Sequence, residues 1–79
     1  MMGIIHVCVR GHVVKYFPSE LECFDFPAEF PLTILELLRS LNVDPLLIMG
    51  VSVNGTKQPK DALIRLGDEV LFFSPPAGG

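Results

Sequence analysis

Only one stretch of this chain, from Thr33 to Leu41, has the periodicity of an amphipathic helix, and the segments on either side alternate like strands. Ile34, Leu37, Leu38 and Leu41 recur at helical spacing and give that stretch one apolar face. Its start is marked by Thr33-Ile34-Leu35-Glu36, which matches a capping box: the Thr33 hydroxyl takes one orphan N–H while Glu36 reaches back to another. Leu32 and Leu37 stand where a hydrophobic staple puts its two residues. Asn42 is placed to cap the end in a left-handed conformation, and Pro45 prevents continuation. One helix can bury its stripe only against one layer, and in a chain of 79 residues that layer is a single small sheet.

The strands can be read around it. In Ile4 to Val9, Ile5, Val7 and Val9 share one side, and His6 and Cys8 the other. Gly11 to Ser19 is a connection, with a helical turn around Val13 to Phe17 ended by Pro18. Glu20 to Phe26 predicts a second strand with Phe24 and Phe26 inward, closed by Pro27. Val51 to Val53 and Thr56 to Gln58 flank Asn54-Gly55, a strong tight-hairpin signal because both turn positions require positive φ. Leu66-Gly67-Asp68 turns the chain into a last strand, Glu69 to Ser74. The expected fold is therefore α+β: a mixed sheet of four or five strands covered by one main helix, in the β-grasp (ubiquitin-like) order. Residues 1–79 are expected to form one domain with a flexible tail over 75–79.

Composition narrows the function. With 49% hydrophobic and 19% charged residues the chain is too apolar for disorder. Its longest apolar stretch, Leu46 to Val53, is broken by Gly50 and Ser52 and falls far short of the ~20 residues of a membrane span. Met1 to Arg10 lacks the marks of an export signal, so a cytoplasmic location is expected. Nine acidic against six basic residues give a net charge of -3, with no basic stripe for nucleic acid; such a surface suits docking onto basic partners. Cys8 and Cys23 form no Cys-x-x-Cys pair and read as ordinary thiols. With His6 and His12 they match no metal motif, and no metal site is expected. Asp61, Asp68 and Glu69 read as turn and solvent-facing residues, and no phosphate-binding loop is present. Nothing in this pattern is an enzyme's active site.

The end of the chain stands out. Pro75 and Pro76 favour the extended polyproline conformation, and Ala77, Gly78 and Gly79 add almost no side-chain volume. These five residues can project roughly 16 Å, a stiff base with a slim tip. A frayed terminus and a tip that enters a partner's tunnel are both open on composition alone. In the last strand Val70 and Phe72 take one face, which leaves Leu71 and Phe73 on the other beside the tail. Leu21 and Cys23 extend that outer apolar face, which is either a docking surface or a surface covered by the chain's own loops.

The sequence resembles the ThiS/MoaD family of ubiquitin-like sulfur carriers along essentially its whole length. The resemblance is carried by Val53-Asn54-Gly55, then Leu66-Gly67-Asp68-Glu69-Val70, the pair Phe72-Phe73, the two prolines and Gly78-Gly79. It implies a β-grasp protein with no bound cofactor, whose Gly79 carboxylate is adenylated by a ubiquitin-activating-type adenylyltransferase that uses ATP. A sulfur donor then converts the adenylate to a thiocarboxylate, and a synthase accepts the sulfur. Gly78 shares the slim tip, and Leu71, Phe73, Pro75, Pro76 and Ala77 are the implied partner-binding residues. The aromatic pair and prolines look closest to the MoaD side, the small subunit of molybdopterin synthase, with Ser74 setting the prolines one position later than usual. Thiazole synthase, a tRNA-thiolation system, and cysteine or tungsten-cofactor pathways are alternative acceptors. A protein modifier joined through Gly79 and a plain interaction module are the alternative classes.

Overall fold

The computed structural model describes residues 3–17, 22–29 and 31–73. The chain runs through β1 (Gly3–Val9), a 3-10 helix over Gly11–Tyr16, β2 (Cys23–Ala28), β3 (Leu32–Thr33), α1 (Ile34–Ser40), a 3-10 turn at Pro45–Leu47, β4 (Gly50–Val53), β5 (Thr56–Lys57), β6 (Leu63–Ile64) and β7 (Glu69–Phe73). Five strands form one sheet in the order β2-β1-β7-β4-β5, and β3 pairs with β6 in a second, two-stranded sheet. β1 and β7 lie parallel at the centre, and the other neighbours in the large sheet pair antiparallel. This is the β-grasp arrangement expected from the element order.

The core follows from the alternation. Ile5, Val7 and Val9 of β1 and Val70 and Phe72 of β7 lie at most 1% exposed, against Ile34, Leu37 and Leu38 of α1. Phe17, which caps the 3-10 helix after β1, packs its ring 5.5 Å from Phe72 and 6.2 Å from Phe24. Phe24 and Phe26 are half-buried against this cluster, on the inner face as expected.

α1 starts where the sequence marks it. Thr33 Oγ1 accepts from Glu36 N at 3.1 Å, and Thr33 N donates to Glu36 Oε1 at 2.8 Å. The other two free N–H groups of the first turn, on Ile34 and Leu35, donate to the carbonyls of Ala62 and Lys60. The β3–β6 pair continues this attachment, so the helix start is fastened to the 60–64 segment. At the far end Asn42 adopts φ 59°, and Val43 N donates to Leu38 O while Asn42 N donates to Arg39 O. That is a Schellman cap, with apolar Val43 and Leu38 buried together beneath it.

The Thr33 backbone N–H, which donates to the Glu36 carboxylate, is the largest influence holding that carboxyl below its ordinary pKa, and the Thr33 side chain and the Arg39 charge act in the same direction. The linkage sign follows: Glu36 stabilises the fold fully above the ordinary carboxylate range and loses that contribution as pH falls through its lowered folded value. As pH falls from neutrality through the carboxylate range and below it, native chain should therefore lose thermal stability relative to Glu36→Gln, which keeps an acceptor without a charge. Parallel melting curves for the two proteins check this.

The two turns that bracket β7 and β4 are tied together. Asn54 and Gly55 have φ 53° and 84°, the type I′ geometry of a two-residue hairpin. Asn54 Nδ2 donates to Asp68 Oδ1 at 3.0 Å, and Asn54 Oδ1 accepts from Glu69 N at 2.9 Å. Asp68 Oδ2 also accepts from Arg65 N. Asp68 is thus a turn residue, as expected, but its carboxylate also locks one turn to the next. Asn54→Ala removes two bonds and leaves a β-carbon at positive φ; an expected cost of about 1–3 kcal/mol, read by denaturant unfolding, follows. Because the partners are shared, adding Asp68→Ala should cost less than the sum of the two single changes.

Several strand boundaries differ from expectation, and β1 and β4 each begin one residue early, at Gly3 and Gly50. β2 spans Cys23–Ala28 and runs through Pro27 rather than stopping before it, while the expected start at Glu20 lies outside the described residues. β2 is an edge strand and Pro27 stands opposite Ile4. Val9 N bonds to Glu22 O, so alternate pairs, including Ile4–Pro27, are non-hydrogen-bonded and the missing proline N–H costs no ladder bond. β5 ends at Lys57, although Gln58 N still donates to Val51 O.

Candidate docking face

Every second residue of the sheet faces away from α1, and the registers arrange these outward residues in rows. One row runs Asp25, His6, Glu69 across β2, β1 and β7; the next runs Cys23, Cys8, Leu71, Ser52 and Lys57 across all five strands. Phe73 stands opposite Gly50 in the row beyond. Leu71 and Phe73 are half-buried, whereas their neighbours Val70 and Phe72 are buried. The alternation read from the sequence therefore puts the two predicted docking side chains on the outer face.

Phe73 is held there by a glycine. A β-carbon on Gly50 would lie 2.5 Å from Phe73 Cε2 and 2.6 Å from Cζ, so the ring lies flat across the bare Gly50 backbone. The segment that carries the ring is well anchored. β7 is bonded on both sides, by β1 and β4, and Arg10 N closes the ladder onto Phe72 O at 2.9 Å. Because β1 and β7 are parallel, the chain leaves Phe73 at the end of the sheet where β1 reaches Arg10. The predicted tail residues Pro75, Pro76, Ala77, Gly78 and Gly79, together with Leu21, lie outside the described residues.

One sequence expectation is corrected on this face. Cys8 and Cys23 are not separate thiols: they are joined in a disulfide, 15 residues apart in the chain. The reason is register. They stand directly opposite each other in a non-hydrogen-bonded pair of the β1–β2 ladder, where side chains approach most closely. Next along both strands, His6 Nδ1 and Asp25 Oδ1 are 2.9 Å apart, with side chains 52% and 62% exposed. At such exposure the pair adds little stability. His6, Cys8, Arg10, Cys23, Asp25 and Leu71 line one shallow, open depression. Strand alternation already puts His6 and Cys8 on one face, but only the register between β1 and β2 brings Cys23 and Asp25 beside them. Among the described residues no group of three or more His, Cys, Asp or Glu is placed to hold a metal ion, and no helix is long and apolar enough to cross a membrane.

A single-helix β-grasp with an aromatic-bearing central strand leading to the chain end defines a small ubiquitin-like protein. The family model described as "ThiS family" matches residues 14–79, and the chain belongs to that family of ubiquitin-like sulfur carriers. No curated protein matches the sequence. Among solved structures, the chain is similar to Urm1 from Trypanosoma brucei, at 21% identity and TM-score 0.74, covering 99% of this chain and 97% of that one. It is also similar to the Haloferax volcanii HVO 2177 protein, at 18% identity and TM-score 0.72, covering 99% and 88%. These two likenesses establish the fold.

Proposed function

We propose that Gly79 is the working residue of this carrier and that the outer face around Leu71 and Phe73 docks its partners. A carboxylate is ionised at neutral pH and a poor electrophile. An activating partner of the ubiquitin-activating type uses ATP to form the Gly79 acyl-adenylate and release pyrophosphate. Sulfur from a donor then displaces AMP and leaves a thiocarboxylate, whose sulfur is a nucleophile for the next enzyme. The chain itself binds no cofactor in this scheme; the nucleotide belongs to the activating enzyme. Pro75, Pro76, Ala77 and Gly78 form the slim stem that enters each partner's site.

The observation that carries this reading is Phe73: an aromatic ring kept on the outer face, across Gly50, on the strand that leads directly to the tail. The family match running through to position 79 supports the terminal chemistry. The Phe72-Phe73 pair and the two prolines favour the large subunit of molybdopterin synthase as acceptor.

Incubation with an activating enzyme of this class, ATP and a sulfide donor tests the scheme. Intact mass should show replacement of one oxygen by sulfur at the C-terminus. An unchanged mass would sink the reading, and isopeptide-linked products would make the chain a modifier instead. Co-elution of the loaded chain with molybdopterin synthase large subunit, rather than with thiazole synthase, decides the acceptor. Phe73→Ala should fold normally and weaken partner binding by about 1–3 kcal/mol, measured by calorimetry, as truncation of an aromatic anchor does.

A further inference from the structure

We propose that the Cys8–Cys23 bond is a thiol–disulfide exchange site for small thiols, opened and closed while the protein stays folded. The bond lies on the outer face, at the edge strand β2, and neither cysteine belongs to the buried core. Cys23 is exposed and Cys8 is half-buried, so an incoming thiolate meets the Cys23 sulfur first. Along β1, Cys8 sits between His6 and Arg10 on the same face, and all three line the same depression. Two acidic residues, Asp25 on β2 and Glu69 on β7, line the depression as well; both lie in the row of His6 rather than that of Cys8, and Asp25 is engaged by His6. A negative charge released on Cys8 therefore appears between an imidazole and a guanidinium, an environment that makes a thiolate a better leaving group.

The exchange balances in two steps. A glutathione-class thiolate attacks Cys23 Sγ, the S–S bond breaks, and its electron pair leaves on Cys8 Sγ. A second thiolate attacks the sulfur of the bound glutathione, releasing glutathione disulfide and the Cys23 thiolate. Two thiols are oxidised and one protein disulfide is reduced. The fold does not depend on the bond: six register pairs join β1 to β2, and Phe24 and Phe26 pack on the opposite face.

The site abuts the docking face, since Leu71 is the register partner of Cys8 on β7, but the exchange chemistry does not involve Gly79. Its test is therefore independent of the carrier reading. The purified full chain is equilibrated in glutathione buffers of graded ratio, quenched by alkylation, and followed by intact mass, peptide mapping and near-UV circular dichroism. The expected result is one reversible two-electron transition with the folded signal retained and a transient glutathione adduct mapped to Cys23. Arg10→Gln should slow opening about 3–10-fold without moving the thermal midpoint. Opening seen only when the chain unfolds, an adduct on Cys8, or a chain that stays reduced in oxidised glutathione would each overturn the proposal.

Discussion

Adding a single residue after Gly79 is expected to abolish ATP-dependent sulfur loading while leaving thermal unfolding unchanged. The addition turns the Gly79 carboxylate into an amide and moves the new carboxylate outward by about 3.5 Å. Attack on a nucleotide phosphate requires near-contact geometry, and an error of even 1 Å costs on the order of 100-fold in rate. Gly78→Val should fail for a different reason, because a β-branched side chain widens the tip and restricts backbone angles that glycine leaves open. Stability is expected not to move in either variant, since among the described residues the core cluster runs from Ile5 to Phe72. Intact mass after incubation with activating enzyme, ATP and sulfide reads the first effect, and a melting curve the second. Normal loading of the extended chain, with the extra residue still attached, would remove Gly79 from the mechanism.

The second large effect lies one position from a mild one. Phe72→Ala is expected to unfold most of the protein at room temperature, whereas Phe73→Ala leaves it folded. Phe72 is 0% exposed and its ring meets Phe17 under the helix. Truncating a buried Phe costs about 3–5 kcal/mol through lost burial and the cavity left behind. A 79-residue domain has little stability in reserve, so that loss consumes much or all of it. Phe73 rests on the surface of the sheet against Gly50, and its removal opens no cavity. Urea unfolding of the two variants side by side reads the difference. Similar midpoints would mean that β7 does not present its two faces as described.

Much of this was legible in the sequence because it is local. The Thr33 capping box, the Asn42 cap and the Asn54-Gly55 turn depend on neighbours within a few residues, and the structure reproduces each one. The split of β7 into Phe72 inside and Phe73 outside needed only the period of a strand. What stayed hidden depends on pairing between distant segments. β3 and β6 are two residues each, too short to leave a periodic signal, and exist because the helix start needs partners at Lys60 and Ala62. The reach of β2 through Pro27 becomes intelligible only once β2 is known to be an edge. The disulfide and the His6–Asp25 pair follow from one register between β1 and β2 that no spacing rule supplies. Gly50 reads as a break in an apolar run until Phe73 is seen lying across it. The predicted tip, Pro75 to Gly79, remains a matter for the loading experiment.

The place of β7 at the centre of the sheet also governs when this chain can fold. Its two partners, β1 and β4, have no direct pairing with each other, and β7 comes last in chain order among the described elements. A nascent chain that has not yet released Phe73 from the ribosome holds its two halves without the strand that joins them. Sheet closure must wait for contacts between the first and last strands, the kind of long-range pairing that slows folding. Until then Val7, Val9 and Val51 lack their register partners on β7, and a chain stopped before Glu69 stays exposed to aggregation and degradation. Closure of the five-stranded sheet therefore coincides with the release of β7, and products terminated before that strand stay out of the folded pool.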